Sequence, residues 1–557
     1  MLKHTGPIAG IAAQDTWVAT AGYDNKVILW DARTHKAVAQ GVHDHLVNNC
    51  AFSSDGQWLV SASSDYSARL WSLPAMRLQA VLPGHGDDVD MAVFSPNSQW
   101  IATCALDRLV RVFDLQGRCQ TQFAGHTGNV LALAWTPDGQ HVISTSVDGT
   151  IRQWHVQSGQ QVSIHDLQIR TDSLEIASNG TIYAGDDLGR IAILRNGQTE
   201  YVQAHQAGIK KVVLNDATHQ LVCLSYDSSM SIWNVQPNPP ERIAHCALPE
   251  LIWARSAAVS NSGHVVVGTF GATYAVFDMT TRQWDMSGVQ AGSAINAVLH
   301  DRGDTYSVGD SGEVLKNQQA LAHMGSLCNF LTRSSDWLLT GGQLGQLFNA
   351  KTGEVLHQHH SPLNCGVHFE RDGQAHVAVG TYTGEILVFK CTEQSVTQIE
   401  CLKVYDNAVK GVSVTGTQLF SVCANTSIAW HSLLDFSLVR QISHAHEKIA
   451  NDCCTIDAQH VATISRDRTL KIWNGQGVQT YLSPHPNSIK CMAIDDEKSH
   501  ILTGSYGGTL ALFDLRSKDW SQFERPTSAG ISDITWHNAQ QQFLAASYDG
   551  NIYPLKA

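Results

Sequence analysis

The chain has 557 residues, 43% of them hydrophobic, 16% charged and 8% aromatic, which excludes disorder and, at this length, a single core. Its formal charge is −13, and basic residues gather only in isolated pairs such as Lys210-Lys211 and Arg466/Arg468, so neither nucleic acid nor membrane is an expected partner. No apolar run approaches a membrane span, and thirteen cysteines scattered without framework spacing point to a reducing, cytoplasmic setting.

The first expected element is a strand at 8–13, "IAGIAA". Its register matches a later segment, since His4 precedes Ile8 by four residues as His126 precedes Val130, so it reads as a strand rather than a leader. One unit then recurs along the chain. In its clearest copy "GNVLALAW" (128–135) alternates as a strand, "PDG" turns, "HVISTS" is a second strand, "VDG" turns and "TIRQW" is a third. A shorter apolar piece leads to the next copy. The residue that ends each third strand forms a column: Trp30, Trp71, Phe113, Trp154, Leu194, Trp233 and Phe277, then Phe389, Trp430, Trp473, Phe513 and Leu555, spaced about 41 residues apart. Asp24, Asp65, Asp107, Asp148, Asp227, Asp467 and Asp549 each stand six residues ahead of their column member.

Four short strands per unit, with Gly-His near the start (84–85 and 125–126) and Trp-Asp near the end (30–31), resemble the WD-repeat β-propeller family. The resemblance is strong in blades 1–4, 6 and 12–14. It is weak in blades 5 and 7–11, where Gly189, Gly312, Gly345 and Gly384 keep only the turn. It implies an all-β fold of about fourteen blades. Closed rings hold four to eight blades, so the expected architecture is two seven-bladed β-propellers in tandem, 1–286 and 287–557, with the break in "SGVQAG" at 287–292.

A Ser/His/Asp grouping such as His126, Ser144 and Asp148, with Trp154 beside it, has the ingredients of a hydrolase triad. The same set recurs as His4/Thr20/Asp24/Trp30, His43/Ser61/Asp65/Trp71, His85/Thr103/Asp107/Phe113 and His446/Thr463/Asp467/Trp473. An enzyme needs one nucleophile with one oxyanion hole, not one per blade, so a structural role is expected. The family resemblance implies that role: a His–Asp–Ser/Thr–Trp network within each blade. "GDSGEV" at 309–314 echoes a serine-protease motif but falls on a turn, as does "GGQLGQ" at 341–346. His357, His359 and His360 are a weak metal candidate, because 357 and 359 would share a strand face while 359 also fits the loop-histidine position. "GHGDDVD" places Asp87, Asp88 and Asp90 on an expected acidic surface turn. No nucleotide-loop or zinc-protease motif is present, and no cofactor is expected.

The resemblance also points to one face of the disc, bearing the loop before the first strand and the turn before the third. The position just ahead of the turn aspartate is Tyr23, Tyr226, Phe270, Tyr506 and Tyr548, with Tyr382 beside the equivalent turn of blade 10. One residue past the first apolar residue of the opening strand stand Asn48, Asp90, Lys210, Asn296, Asn364, Lys410 and Lys490. Aromatic and polar groups so placed fit a partner-binding face. The expected function is a non-enzymatic scaffold binding one or more proteins or peptides on propeller faces and in a cleft between the two rings. The alternative is an enzyme or a small-molecule or metal binder, with its site in a central channel or between the rings; the unexplained His, Cys and Trp253 of the degenerate blades favour it.

Overall fold

The structure, a computed structural model, describes residues 2–260, 262–290, 292, 294–475 and 477–557. Ala291, in the expected break at 287–292, lies outside the described residues. Among the described residues the strands assemble into thirteen four-stranded antiparallel sheets and one three-stranded sheet, each with its strands in chain order. Blade 1 is Ile8–Ala13, Trp17–Gly22, Lys26–Asp31 and Ala37–Val42. Blade 14 is Ile531–His537, Gln542–Ser547 and Ile552–Lys556. One turn of 3-10 helix, Asn538–Gln540, is the only helical element among the described residues, so none of their helices is long and apolar enough to cross a membrane.

Burial follows position in the blade. Second strands such as Trp58–Ser63 ("WLVSAS") and His141–Ser146 ("HVISTS") are buried beyond their first residue, because a neighbouring blade covers each face. That is why they read as runs of small and apolar residues rather than as alternation. Outermost strands such as Gln160–Asp166 face solvent and alternate between exposed and half-buried positions. The core lies between blades: Val60, Leu70, Val89 and Ile101 of blades 2 and 3 pack in one cluster, and Leu214, Val222, Ile252 and Val265 of blades 6 and 7 lie in or against others.

The chain divides into two compact units, Met1–Gly292 and Ser293–Ala557, each holding seven sheets. Each is a closed seven-bladed β-propeller. In the first unit, Ile8–Ala13 of blade 1 packs on Ile252–Val259 of blade 7; Ser256 Oγ donates to the Ile8 carbonyl at 3.4 Å, and the His4 amide to that of Ala272 at 3.1 Å. In the second, Ile295–Asp301 packs on Ile531–His537; the Val298 amide donates to Asp533 Oδ2 at 2.8 Å, and the His300 and His537 rings stack 3.7 Å apart.

Two local devices repeat around both rings and aim side chains at one face. First strands carry a register shift after their first apolar residue. The residue left out of the ladder is Asn48, Asp90, Lys210, Asn296, Asn364, Lys410 or Lys490 in its blade. A β-bulge turns such a side chain out of the sheet. Blade 7 is looser, its shift running from Ile252 to Ala257. In the second device, the residue that opens the turn before the third strand donates its amide to a carbonyl just ahead of the first strand. Tyr23 bonds Pro7, Tyr226 Gly208, Phe270 Leu251, Tyr382 Pro362, Tyr506 Ser488 and Tyr548 Gly530, at 2.8–3.1 Å. The following turn lies so close to the next loop that a Cβ on Gly189 would sit 2.3 Å from the His205 carbonyl, so only glycine fits.

Candidate interaction faces and the blade networks

The blade networks form as directed chains of hydrogen bonds. In blade 4 the Trp154 indole donates to Ser144 Oγ at 2.8 Å, Ser144 lies 2.9 Å from His126 Nε2, and His126 Nδ1 lies 2.9 Å from Asp148. The same chain links Trp30, Thr20, His4 and Asp24 (2.7, 2.7 and 2.8 Å), then Trp71, Ser61, His43 and Asp65 (2.8, 2.7 and 2.8 Å). It recurs in Trp473, Thr463, His446 and Asp467 (2.8, 2.7 and 3.0 Å). Blade 3 joins His85 to Thr103 and Asp107, and Phe113 supplies no donor; Arg111 also reaches Asp107 at 2.9 Å.

Burial pushes the imidazoles of His43, His85, His126 and His446 down, against the pull of the facing aspartates, so these rings are neutral. Burial raises Asp148, but hydrogen bonds from Thr150, His126 and Thr127 outweigh it and hold its carboxyl at about 2. Ser144, Ser61, Thr20, Thr103 and Thr463 are all 0% exposed, so no substrate reaches these hydroxyls and the triad interpretation has no nucleophile.

Two networks escaped the sequence pattern. In blade 6, His205 meets Asp227 at 3.1 Å and Ser231 at 2.7 Å, and the Trp233 indole donates to Ser231. Cys223 fills the second-strand position, so the hydroxyl comes from the third strand. The 22-residue separation of His205 from Asp227, the same as that of His126 from Asp148, was the available signal. In blade 13, His485 bonds Thr503 at 2.9 Å and Thr509 at 2.6 Å, with Gly507 where an aspartate would stand. Burial, with no facing carboxylate, pushes His485 down to about 3.

On the first unit's face Tyr23 meets Trp253 edge-on and Trp253 stacks on Phe270, with ring centroids 5.3 and 5.2 Å apart. Arg255 donates to the Tyr23 hydroxyl at 3.0 Å and to Asp90 at 3.3 Å. Across the ring Lys210 bridges Asp172 (2.6 Å) and Asp187 (2.7 Å) and lies 4.7 Å from the Tyr226 ring centre, while Arg170 reaches Asp172 at 2.6 Å. Asn48 is spent inside the structure, donating to Ser64 and to the Val89 carbonyl. The turn expected to be an acidic surface is not one. Asp88 is buried and accepts from Ser64 at 2.9 Å because the bulge beside it turns the segment inward.

The second unit's face differs in charge. Lys410 lies 5.2 Å from the Tyr382 ring centre and Arg466 5.5 Å from that of Tyr506, while Lys490 lies in the field of Tyr548 and Tyr506. Among the described residues neither Lys410 nor Lys490 has a carboxylate within 4.0 Å. Burial lifts the acids nearby well above the usual carboxylate range, Asp310 and Asp452 to about 7 and Asp533 to about 6, so their negative charge is lost as pH falls through 7 to 6. Asn296 donates to Asp310 at 2.9 Å, and Asn364 to the Val409 carbonyl at 3.0 Å. None of the thirteen expected face residues is fully open: Asn48, Phe270 and Tyr506 are buried, and the other ten are half-buried.

"GDSGEV" is a turn between the strands Asp304–Gly309 and Glu313–Lys316, and its Asp310, at the Tyr position of other blades, is only 1% exposed. The histidine trio does not hold together as expected. His357 lies on Glu354–Gln358 edge-on to Phe389, and its Nε2 is buried without a partner. His359 and His360, with rings 4.1 Å apart, gather with Glu385 instead; one ligand atom from each of the three lies within 4.8 Å of the others. A separate cavity of about 460 Å³ opens at the junction of blades 1 and 7, lined by His35, His264, Tyr274 and Trp284, and the Tyr274 hydroxyl and Trp284 indole N–H are buried there without partners.

Five segments, 2–31, 38–72, 76–114, 117–155 and 475–514, match the repeat described as WD domain, G-beta repeat. The nuclear distribution protein nudF of Aspergillus niger is 28% identical over 170 residues, 26% of this chain and 38% of that protein. The chain thus spans about two fifths of that relative's length. The target of rapamycin complex subunit wat1 of Schizosaccharomyces pombe is 25% identical over 236 residues, 39% of this chain and 74% of that protein. The guanine nucleotide-binding protein subunit beta of Oryza sativa is 22% identical over 309 residues, 41% of this chain and 81% of that protein. With fourteen blades in sequence, the indole–hydroxyl–imidazole–carboxylate chain inside the well-formed ones, and five segments that match the WD repeat, the chain is a tandem β-propeller carrying WD repeats.

Proposed function

We propose that this protein is a non-enzymatic scaffold that binds protein or peptide partners on the loop-and-turn faces of its propellers. The observation that carries the reading is the paired device of bulge and pinned turn, which aims Tyr382, Lys410, Tyr506, Lys490 and Tyr548 at one face of the second ring. Largely buried tyrosine beside lysine is interface chemistry: large apolar area, few rotors and, among the described residues, a charge with no carboxylate within 4.0 Å. Carboxylates of a partner segment would complete Lys410 and Lys490. The first unit's face, where Lys210 and Arg255 already have carboxylates, would hold a less acidic partner. Two relatives are by name subunits of assemblies, which supports the same role. All thirteen cysteines are free thiols, which supports a cytoplasmic setting.

The test is affinity purification with mass spectrometry, comparing wild type with Lys410→Ala/Lys490→Ala/Tyr548→Ala at matched melting temperature. Partners lost from the triple variant support the face assignment. An unchanged partner set sinks it.

A further inference from the structure

We propose that blade 10 carries a divalent transition-metal site formed by His359, His360 and Glu385. His359 occupies the loop-histidine position, but every residue that would complete its network is replaced. Val379 stands where Ser144 stands in blade 4, Thr383 where Asp148 stands, and Phe389 where Trp154 stands. In blades 1–4, 6 and 12 the imidazole at this position meets a hydroxyl and the turn aspartate, and in blade 13 two hydroxyls; in blade 10 the positions that supply them hold Val379 and Thr383.

What gathers around it is a ligand set. The His360 ring lies against His359, and the Glu385 carboxylate comes from the first residue of the strand Glu385–Cys391, two positions after the turn residue Thr383. One ligand atom from each of the three lies within 4.8 Å of the others. The carboxylate is held by the hydroxyls of Thr381 (2.6 Å) and Thr383 (2.5 Å), an outer shell that fixes its direction. The Ser361 amide donates to His359 Nδ1 at 3.2 Å and its carbonyl lies 3.3 Å from the same atom, which pins the ring. Ligation through Nε2 would require the ring proton on Nδ1, where the Ser361 carbonyl can accept it. Ser361 Oγ, in a residue only 3% exposed, and the half-buried His357's Nε2 are unpartnered polar atoms in the same segment.

Two imidazoles and one carboxylate suit zinc, nickel or copper rather than magnesium or calcium, which take all-oxygen shells. Three protein ligands leave at least one coordination position open. The site stands on its own geometry and does not require that the face bind a protein.

The experiment is calorimetric titration of metal-stripped full-length protein with zinc chloride, with cobalt(II) as the spectroscopic probe. Wild type, His360→Ala, Glu385→Gln and the control His357→Gln are compared, all checked for an unchanged melting temperature. One equivalent of zinc should bind wild type and the control alike. Affinity should fall at least about tenfold in His360→Ala and in Glu385→Gln, with loss of the cobalt d–d bands. Absence of a saturable single equivalent, or equal affinity in wild type and both ligand variants, overturns the proposal.

Discussion

Replacing Asp310 by Asn should stabilise the second propeller, and do so more at alkaline than at acid pH. Asp310 is 1% exposed; Asn296 donates to one carboxylate oxygen at 2.9 Å, and the other is buried with no partner. Burial is the main influence on this group and lifts it to about 7, against the weaker opposing pull of the Asn296 hydrogen bond. An unfolded aspartate titrates near 3.9, so the folded state holds its proton more tightly. The sign follows: the group's stabilising contribution is complete below about 4 and is lost as pH rises through about 7. Three pH units at about 1.4 kcal/mol each put the full cost of the buried anion at roughly 4 kcal/mol, of which roughly 1.5 kcal/mol is already present at pH 5. Asparagine keeps the shape, can still accept from Asn296, and has no proton to lose. The stability difference between variant and wild type should therefore widen by about 3 kcal/mol between pH 5 and pH 8.5. Urea unfolding followed by tryptophan fluorescence measures it. Asp452 and Asp533 titrate in the same window in both proteins, so their contributions cancel in the difference. A difference that does not change with pH would refute the assignment of Asp310 as a buried, protonated carboxyl.

Two further substitutions probe the first propeller. Ser144→Ala removes the atom that accepts from the Trp154 indole and faces His126 Nε2, leaving a buried donor unsatisfied; unfolding of the first unit should become easier by about 2 kcal/mol, read as lost hydrogen-exchange protection in His141–Ser146. Lys210→Met leaves Asp172 and Asp187 with Arg170 as their one remaining shared cation and should cost about 3 kcal/mol, seen in urea unfolding, with partial recovery when Asp187→Asn is added.

The blade count and the well-formed networks were legible because they rest on local spacing. An imidazole, a hydroxyl and a carboxylate at fixed separations within one blade leave a column in the sequence. Blade 6 slipped from view because Cys223 displaced its hydroxyl onto Ser231, a move within the blade that keeps the geometry and breaks the column. Positions such as Asn48 and Lys490 were legible as a recurring place, but not their burial, which depends on how far the bulge swings each side chain inward. The raised carboxyls were invisible for a further reason. Burial raises Asp452 and Asp533 against amide hydrogen bonds that include Met492 and Val298 on neighbouring blades, so what sets their charge is packing between repeats.

The closing contact of the first propeller has a consequence for how the chain is made. Asn48 reaches Val89 of the next blade across 41 residues, whereas Ser256 reaches Ile8 across 248. Loop-closure entropy makes that one junction about 1.6 kcal/mol costlier than its neighbours. It is also the junction left with a cavity and two unsatisfied donors. During synthesis the inner edge of blade 1 must wait, uncovered, until residues 252–259 emerge, so this is where a nascent chain needs protection and where the finished ring opens first.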